Sequence, residues 1–383
     1  MKDKKRILIC IDWYEPGFKA GGPIRSVANI VNALKDVYEF YILTSAYDLG
    51  TDEPYEGITL NEWFDREGVF IKYLERNSLN RSVIRRNILE IDPDTLYLNS
   101  LFSKHFTLYP LMTAKSNKIP VVLAPRGMLG AGALDIKKGK KKTFLLISRL
   151  TGLYGKVKWH ASTIEEKHEI KKMFGKNANV YVAQNISVTQ KISLDDILKK
   201  KKTGNIRIIY VSRISIKKNL HLAIQAFKQI KFNKQIAFDI FGNIEDTDYW
   251  QQIKEEIGEF GQLKISYKGV VRPSDLPAVY ASADYLILPT KHENYGHVIV
   301  EAWAHGCPVI ISRNTPWKNL NVQNLGWDVD LKNFDNLVKA LQEAVDLDFT
   351  SYIAQVTACY KYFREVISDQ EVIEANRKLF EDE

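Results

Sequence analysis

The stretch KHENYGHVIVEAWAHGCPVIIS, residues 291–312, sets Glu293 and Glu301 on either side of a Tyr295-Gly296 pair and closes on Gly306-Cys307-Pro308. A short apolar run, Tyr285–Leu288, precedes it and stops at Pro289, and a second run, Val309–Ile311, follows it. Gly306 and Pro308 terminate what lies between, so the spacing predicts a helix of about nine residues between Gly296 and His305. Strand, helix, strand is the repeating unit of a parallel sheet with crossover connections. Glu293 then falls in the loop that leaves the first strand, and Glu301 in the second turn of the helix. The loop can fold one carboxylate over the mouth of a site while the helix presents the other from below. Free backbone amides at the helix start, near Tyr295–His297, would add donors for a ligand's oxygens. Glutamates are equally common on solvated helix faces, and spacing alone leaves that reading open.

The same alternation extends in both directions. Upstream, strands are expected at Ile206–Val211, Ala237–Phe241 and Ile265–Val270, with helices at Leu220–Lys228, Trp250–Phe260 and Ser274–Ala281. The first half repeats the theme with strands at Arg6–Ile11, Phe40–Thr44, Thr95–Leu98, Val121–Ala124, Val157–His160 and Val180–Val182. Helices are expected there at Ile24–Leu34 and Glu165–Phe174. The charged, apolar-poor segment ISLDDILKKKKTGN, residues 192–205, reads as the linker. A last amphipathic segment, Cys359–Phe380, ends the pattern. The expected architecture is α/β with two doubly wound domains, 1–190 and 191–358, and a final helix in 359–383. In such folds ligands sit outside the carboxyl ends of the strands.

Bulk properties fit this plan. A chain of 383 residues suits two domains of roughly 150–200 residues each. With 45% hydrophobic and 26% charged residues, the composition excludes a disordered chain. No apolar run approaches the roughly 20 residues of a membrane span. The N-terminal MKDKKRILICID reads as a first buried strand, its apolar run being too short for a signal-peptide core. Cys10, Cys307 and Cys359 are odd in number and widely spaced, which points to a reducing compartment, hence the cytoplasm, and to no disulfide framework. The net charge of +8 is uneven: within 136–160 there are eight basic residues and no acidic one. Lys137, Lys138, Lys140, Lys141 and Lys142 lead that stretch. Such a field marks a polyanion or an anionic membrane surface as partner, or else a solvated helix face.

Four strand ends carry candidate chemistry. Arg213 lies just past Ile206–Val211, and Lys217-Lys218 precede the next helix; two cations on such a loop can close on a diphosphate, Arg by a forked contact and Lys as a point charge. A solvated loop pair is the plain alternative. Gly21-Gly22, between the first strand and its helix, permits close backbone approach to a phosphate, although it is not G-x-G-x-x-G. A dinucleotide reading also requires an acidic residue closing the second strand, and Thr44-Ser45 stand there, which disfavours a nicotinamide dehydrogenase. Arg126, at the end of Val121–Ala124, can meet an anionic substrate group or form a surface salt bridge. Asp12 reads as a turn or capping residue.

Taken together, the Gly21-Gly22 loop, HASTIEEKHEI (160–170), SRISIKKN (212–219), KGVVRPSDLPAVYASADYLILP (268–289) and the opening stretch resemble the retaining glycosyltransferases of family four. The resemblance runs over nearly the whole chain, and PRGML (125–129) and TPW (315–317) further resemble bacterial members that build surface polysaccharides. It implies the GT-B fold: two Rossmann-like domains facing across a cleft, with a C-terminal helix crossing back to the first. It implies a nucleotide-diphosphate sugar held mainly by the C-terminal domain and a saccharide or lipid-linked saccharide acceptor on the N-terminal one, with no cofactor. By the same resemblance Arg213 and Lys218 bind the diphosphate as it leaves, Glu301 holds the ribose hydroxyls and Glu293 contacts the donor sugar. The amides of Asn294, Tyr295 and Gly296 reach the sugar hydroxyls, and Gly21 and Gly22 approach the donor from the other domain.

The chemistry is consistent with that assignment. Cleavage leaves a diphosphate of growing negative charge, and fixed cations aimed at it lower the barrier. No convincing ligand cluster for a metal stands out, so the Arg/Lys pair takes that role and no metal is expected. Retention by double displacement would use Glu293 as nucleophile; the family resemblance favours front-face attack with Glu293 as an electrostatic and positional aid. Two departures stand out. Arg126 occupies a place where many relatives have a histidine, which leaves its side, acceptor or donor sugar, open. The turn after Ala237–Phe241 reads FGNIED, retaining Gly242 for the donor but not a second glycine. Two other classes compete: a non-catalytic basic module for nucleic acid, which lacks the aromatic interleaving such binding uses, and an epimerase or phosphorylase on the same fold. No nucleic-acid partner is expected, and the enzyme is placed in the cytoplasm or at the inner membrane face.

Overall fold

The computed structural model describes residues 4–130, 138–187, 192–367 and 370–381. The chain divides into two compact units: Met1–Ile186 with Gln370–Glu383, and Ser187–Asp369.

In the first unit, β1 (Arg6–Cys10), β2 (Glu39–Ser45), β3 (Trp63–Arg66), β4 (Val69–Leu74), β5 (Thr95–Leu98), β6 (Val121–Leu123), β7 (Lys158–Ala161) and β8 (Val180–Val182) form one sheet. Its order is β3-β4-β2-β1-β5-β6-β7-β8. β3 pairs antiparallel with β4, and the other pairings are parallel. Helices α1 (Gly22–Leu34), α2 (Arg81–Ile91), α3 (Tyr109–Asn117), α4 (Lys138–Leu150) and α5 (Ile164–Phe174) supply the crossovers. β1 shows why its sequence runs apolar without a break. Ile7 and Ile9 pack into one core cluster and Leu8 and Cys10 into another, because both faces of the sheet are covered. α1 buries Ile24, Val27, Ala28, Ile30, Val31 and Leu34, a single apolar stripe, and starts with Pro23 where no amide partner is needed.

The second unit repeats the scheme. β9 (Ile206–Val211), β10 (Ile236–Phe241), β11 (Glu259–Phe260), β12 (Leu263–Gly269), β13 (Tyr285–Leu288), β14 (Val309–Ser312) and β15 (Gly326–Val329) run in the order β11-β12-β10-β9-β13-β14-β15. Its helices are α6 (Leu194–Leu198), α7 (Leu220–Phe227), α8 (Thr247–Ile253), α9 (Leu276–Ser282), α10 (His297–Ala304), α11 (Asp335–Asp346) and α12 (Phe349–Tyr362). In both sheets the strand order reverses beside the first strand, between β1 and β5 and between β9 and β13. Those are the topological switch points, where doubly wound sheets bind ligands.

Several expected boundaries move. The proposed linker 192–205 belongs to the second unit: Ser193 caps α6 by accepting from the Asp196 amide, and Ile197 is buried in that unit's core. The unit division falls instead at 186/187. The expected helix Trp250–Phe260 stops early, because Gly258 interrupts it and Glu259–Phe260 pairs with β12. The segment 359–383 is split. Cys359 lies in α12, fully buried in the second core, and the chain returns to the first unit only at Gln370, with α13 (Gln370–Arg377). There Phe380 sits edge-on to Tyr38, Phe40 and Tyr97, with centroids 5.5, 6.2 and 5.4 Å away.

Candidate active site

At the switch point of the second unit, β9 ends in a loop that carries Arg213 and then a short 3-10 turn, Ile216–Lys218, before α7. β13 ends at Leu288, and residues 289–296 lead into α10. Backbone and side-chain bonds hold these two loops together. The Lys291 amide donates to Lys217 O at 2.8 Å, and Asn219 Nδ2 donates to Pro289 O at 2.9 Å. A third strand end joins in, since the Glu293 amide donates to Asn314 O, just beyond β14, at 2.9 Å. The backbone that carries the candidate groups is therefore fixed from three sides.

Lys218 Nζ donates to Glu293 Oε2 in an ion pair whose side chains are only 9% and 19% exposed. Burial alone would raise the Glu293 pKa. The charge and hydrogen bond of Lys218, with Lys217 and Arg213 behind them, outweigh burial and hold the carboxyl below its ordinary range. Lys217 has the opposite problem: burial, then the neighbouring charge of Lys218, pushes its pKa down to about 8. Arg213 Nη1 donates to Glu245 Oε1 at 2.8 Å in a more exposed pair. Three cations on one strand-to-helix loop thus converge at the end of β9, with Glu293, from a different loop, against Lys218.

Glu301 sits in the second turn of α10, where its Oε2 accepts from Tyr280 OH at 3.0 Å and its carbonyl lies 2.7 Å from His305 Nδ1. Gly296 caps the same helix with φ 80°. A Cβ there would come within 3.1 Å of Glu293 Cγ, which places the cap directly beside the carboxylate arm. Asn294 is half-buried, and Tyr295 is buried with its carbonyl accepting from Trp317 Nε1 at 2.6 Å and its hydroxyl 3.1 Å from Ser187 Oγ. Gly242 is demanded by the sheet itself: at φ 149° a Cβ would lie 1.8 Å from Ser212 O, so the end of β10 rests directly on the Arg213 loop. Nothing in the spacing pointed to Glu245, Tyr280, Asn314 or Trp317. The signals available were the FGNIED turn for Glu245 and the TPW triplet for Trp317.

The first unit holds the remaining candidates. Gly21, at φ 73°, caps α1, with Gly22 as the first helical residue, and Asp48 steadies the turn by accepting from the Phe18 amide at 2.9 Å. Arg126, expected to meet a substrate anion or a salt-bridge partner, is held by neighbours of its own unit. Its guanidinium makes four hydrogen bonds inside the unit, two to Asn99 Oδ1 (2.7 and 3.1 Å), one to Asn185 Oδ1 (2.8 Å) and one to Tyr97 OH (2.7 Å). Tyr97 OH in turn lies 2.7 Å from His160 Nδ1, and His160 Nε2 lies 2.9 Å from Ala183 O. The carbonyl can only accept, so Nε2 carries a proton, and burial with the nearby charge of Arg126 lowers the ring's pKa to about 3, which favours the neutral imidazole. Glu166 completes the arrangement by accepting from the Gly127 amide at 2.6 Å and from Ser162. Asp12, at the end of β1, accepts from Ser103 Oγ at 2.6 Å, and burial raises its pKa to about 6.

Of the five lysines expected to face a polyanion, Lys137 and the side chains of Lys138 and Lys142 lie outside the described residues. Lys140 is exposed, whereas Lys141 Nζ sits 5.4 Å from the centre of the Phe102 ring. Among the described residues no group of three or more His, Cys, Asp or Glu could hold a metal ion, and no helix is long and apolar enough to cross a membrane.

The model of the family described as glycosyl transferases group 1 matches residues 193–364. That span lies within the second unit and contains Arg213, Lys218, Glu293 and Glu301. An uncharacterized 41.2 kDa protein in the cps region of Klebsiella pneumoniae is 26% identical over 223 residues, 57% of this chain and 59% of that protein. The lipopolysaccharide core biosynthesis glycosyltransferase LpsE of Rhizobium meliloti is 24% identical over 169 residues, 42% of this chain and 47% of that protein. The chain thus spans roughly half the length of these relatives. The solved structure of Anabaena HepE with UDP and glucose superposes with a TM-score of 0.72 at 15% identity, over 98% of each chain. Sucrose-phosphate synthase from Thermosynechococcus elongatus gives 0.74 at 13% identity, over 99% of this chain and 98% of that one. At such identity the likeness is one of fold, that of GT-B proteins built from two Rossmann-like units. This chain carries a glycosyl transferases group 1 domain over residues 193–364.

Proposed function

We propose that this protein is a retaining glycosyltransferase. It moves a sugar from a nucleotide-diphosphate donor to a saccharide or lipid-linked saccharide, in the synthesis of surface polysaccharide. The observation that carries the proposal is the buried Lys218–Glu293 pair, with Lys217 and Arg213 on the same loop, at the second unit's switch point. HepE was solved with UDP-glucose, and one relative is the O-antigen chain mannosyltransferase B of Escherichia coli; both fit this substrate class.

In this reading the diphosphate is met by Arg213 and Lys218, with Lys217 behind them, and these cations take the place of a metal as charge develops. The bond from the anomeric carbon to the diphosphate oxygen breaks while the acceptor hydroxyl bonds the same face. The hydroxyl proton passes to the departing phosphate oxygen. Glu293 is ionised and held by Lys218, which makes it a weak nucleophile and a good fixed charge. It therefore steadies the positive character of the sugar and orients it. Glu301, kept in place by Tyr280, accepts from the ribose hydroxyls. The amides of Asn294–Gly296 donate to the sugar, and the Gly21-Gly22 turn is an anion-binding turn of the first unit. Buried free thiols at Cys10, Cys307 and Cys359 fit a reducing compartment, which supports a cytoplasmic reaction.

The test is turnover of a panel of nucleotide sugars with saccharide and lipid-linked acceptors, comparing wild type with Glu293→Gln and Arg213→Ala. Donor consumption that requires an acceptor, and losses of about 100-fold or more in both variants, are expected. Full activity in both variants, or an epimerised donor without any acceptor, would overturn the proposal.

A further inference from the structure

Helix α4 presents an apolar surface outside the residues assigned above to the donor. Leu145 and Ser148 are buried against the first unit, whereas Leu146, Ile147 and Leu150 are 59%, 54% and 77% exposed. At 3.6 residues per turn these three fall within an arc of about 100°. The same geometry puts exposed Lys140 at one edge of the arc and exposed Arg149 at the other, and exposed Lys156 lies in the turn beyond the helix end. Elsewhere in the unit, exposed large apolar residues such as Val37, Leu60, Leu89 and Met112 stand singly in sequence. A contiguous exposed apolar stripe is a docking surface rather than ordinary surface scatter.

We infer that α4 is an interfacial helix, which lies on an anionic lipid surface with Leu146, Ile147 and Leu150 among the acyl chains and Lys140, Arg149 and Lys156 at the headgroups. Charge selects the occupant. Residues 136–160 hold eight basic residues and no acidic one, so a second copy docking through the same face would meet like charge. A nucleic acid would be expected to stack on aromatic side chains, but Phe144 is packed against the core and the exposed stripe is aliphatic. An apolar stripe edged by cations matches the two attractions that hold amphipathic helices at a bilayer, burial of apolar area and headgroup charge. The assignment does not depend on the reaction the protein catalyses.

The test is flotation of the full chain with phosphatidylcholine vesicles, with and without phosphatidylglycerol. Wild type should float with the anionic vesicles and remain behind with the neutral ones. Leu146→Ser/Ile147→Ser/Leu150→Ser should abolish flotation at physiological salt. Lys140→Gln/Arg149→Gln should weaken it roughly thirty-fold, at about 1 kcal/mol for each cation near the surface. The substituted positions are exposed, so both variants should keep the wild-type circular dichroism and melting point. Equal recovery from the two vesicle types by wild type, or undiminished flotation of the triple variant, would overturn the assignment. So would a triple variant whose only change is loss of self-association in sedimentation.

Discussion

Lys218 Nζ and Glu293 Oε2 form an ion pair at the ends of β9 and β13, out of reach of most solvent. A pair of this kind is costly to break from one side only, because the surviving charge stays buried. Lys218→Ala should therefore destabilise the protein by about 3 kcal/mol. Glu293→Gln, whose amide oxygen still accepts from the ammonium, should cost less while abolishing transfer. Urea denaturation of the two variants checks the order. If Lys218→Ala were the milder change, the pair would not be the anchor described.

Lys217, with its pKa pushed down to about 8, is partly neutral in mildly alkaline solution. An anion bound beside it favours the protonated form and raises that pKa. Binding of a nucleoside diphosphate above pH 8 should therefore take up a proton and weaken as pH rises. Calorimetry in buffers of different ionisation enthalpy reads the uptake directly. A Lys217→Met variant should show none.

His160 is buried and neutral, and its pKa is lowered to about 3, first by burial and then by the charge of Arg126. Below about pH 6.5 the unfolded chain binds a proton there that the folded chain refuses, so stability rises with pH across this window. The contribution is at most about 1.4 kcal/mol per pH unit. His160→Gln should flatten the stability profile between pH 6.5 and the onset of carboxylate protonation. An unchanged slope would mean that the ring titrates freely in the folded state.

Arg126→Lys removes the fork that joins Asn99, Asn185 and Tyr97. A stability loss of about 2 kcal/mol is expected, with nucleoside diphosphate affinity unchanged, because the groups left behind are buried acceptors of the first unit. Isothermal titration and thermal unfolding of the same sample separate the two effects. Lost affinity at full stability would restore Arg126 to the substrate.

Gly242→Ala forces a Cβ to within 1.8 Å of Ser212 O and should leave the second unit unable to fold, seen as insoluble or protease-sensitive protein. Gly296→Ala asks less of the chain. Its φ of 80° is strained for alanine, at about 1–2 kcal/mol, and the new methyl crowds Glu293. That variant should fold and lose transfer.

Periodicity made most of this legible. Thr95–Leu98, Ile206–Val211 and Tyr285–Leu288 are strands with the expected bounds, because strands buried on both faces are short apolar runs closed by turn residues. The hairpin β3–β4 and the strand β15 were less visible: Trp-Phe-Asp-Arg and Gly-Trp-Asp-Val are mixed in polarity, and pairing rather than pattern makes them strands. At the site, Arg213, Lys218 and Glu293 were readable as residues at strand ends. Their partners were not, since Glu245 and Asn314 arrive from other loops and only the folded chain brings them near. Arg126 was readable at a strand end for its position only, since an arginine there looks the same in sequence whether its fork grips a substrate or three neighbouring side chains.

Finally, the first unit is not continuous in the chain. Its core is closed by Leu379 and Phe380, and Tyr38 OH and the Gln184 carbonyl hold the returning segment through Arg377 O and Asn376 Nδ2. On the ribosome, where the chain emerges from its N-terminus, the half that is made first is therefore the half that finishes last. The second unit has all of its strands before residue 370 is synthesised, and it can fold while the first still lacks the aromatic wedge that seals Tyr38, Phe40 and Tyr97.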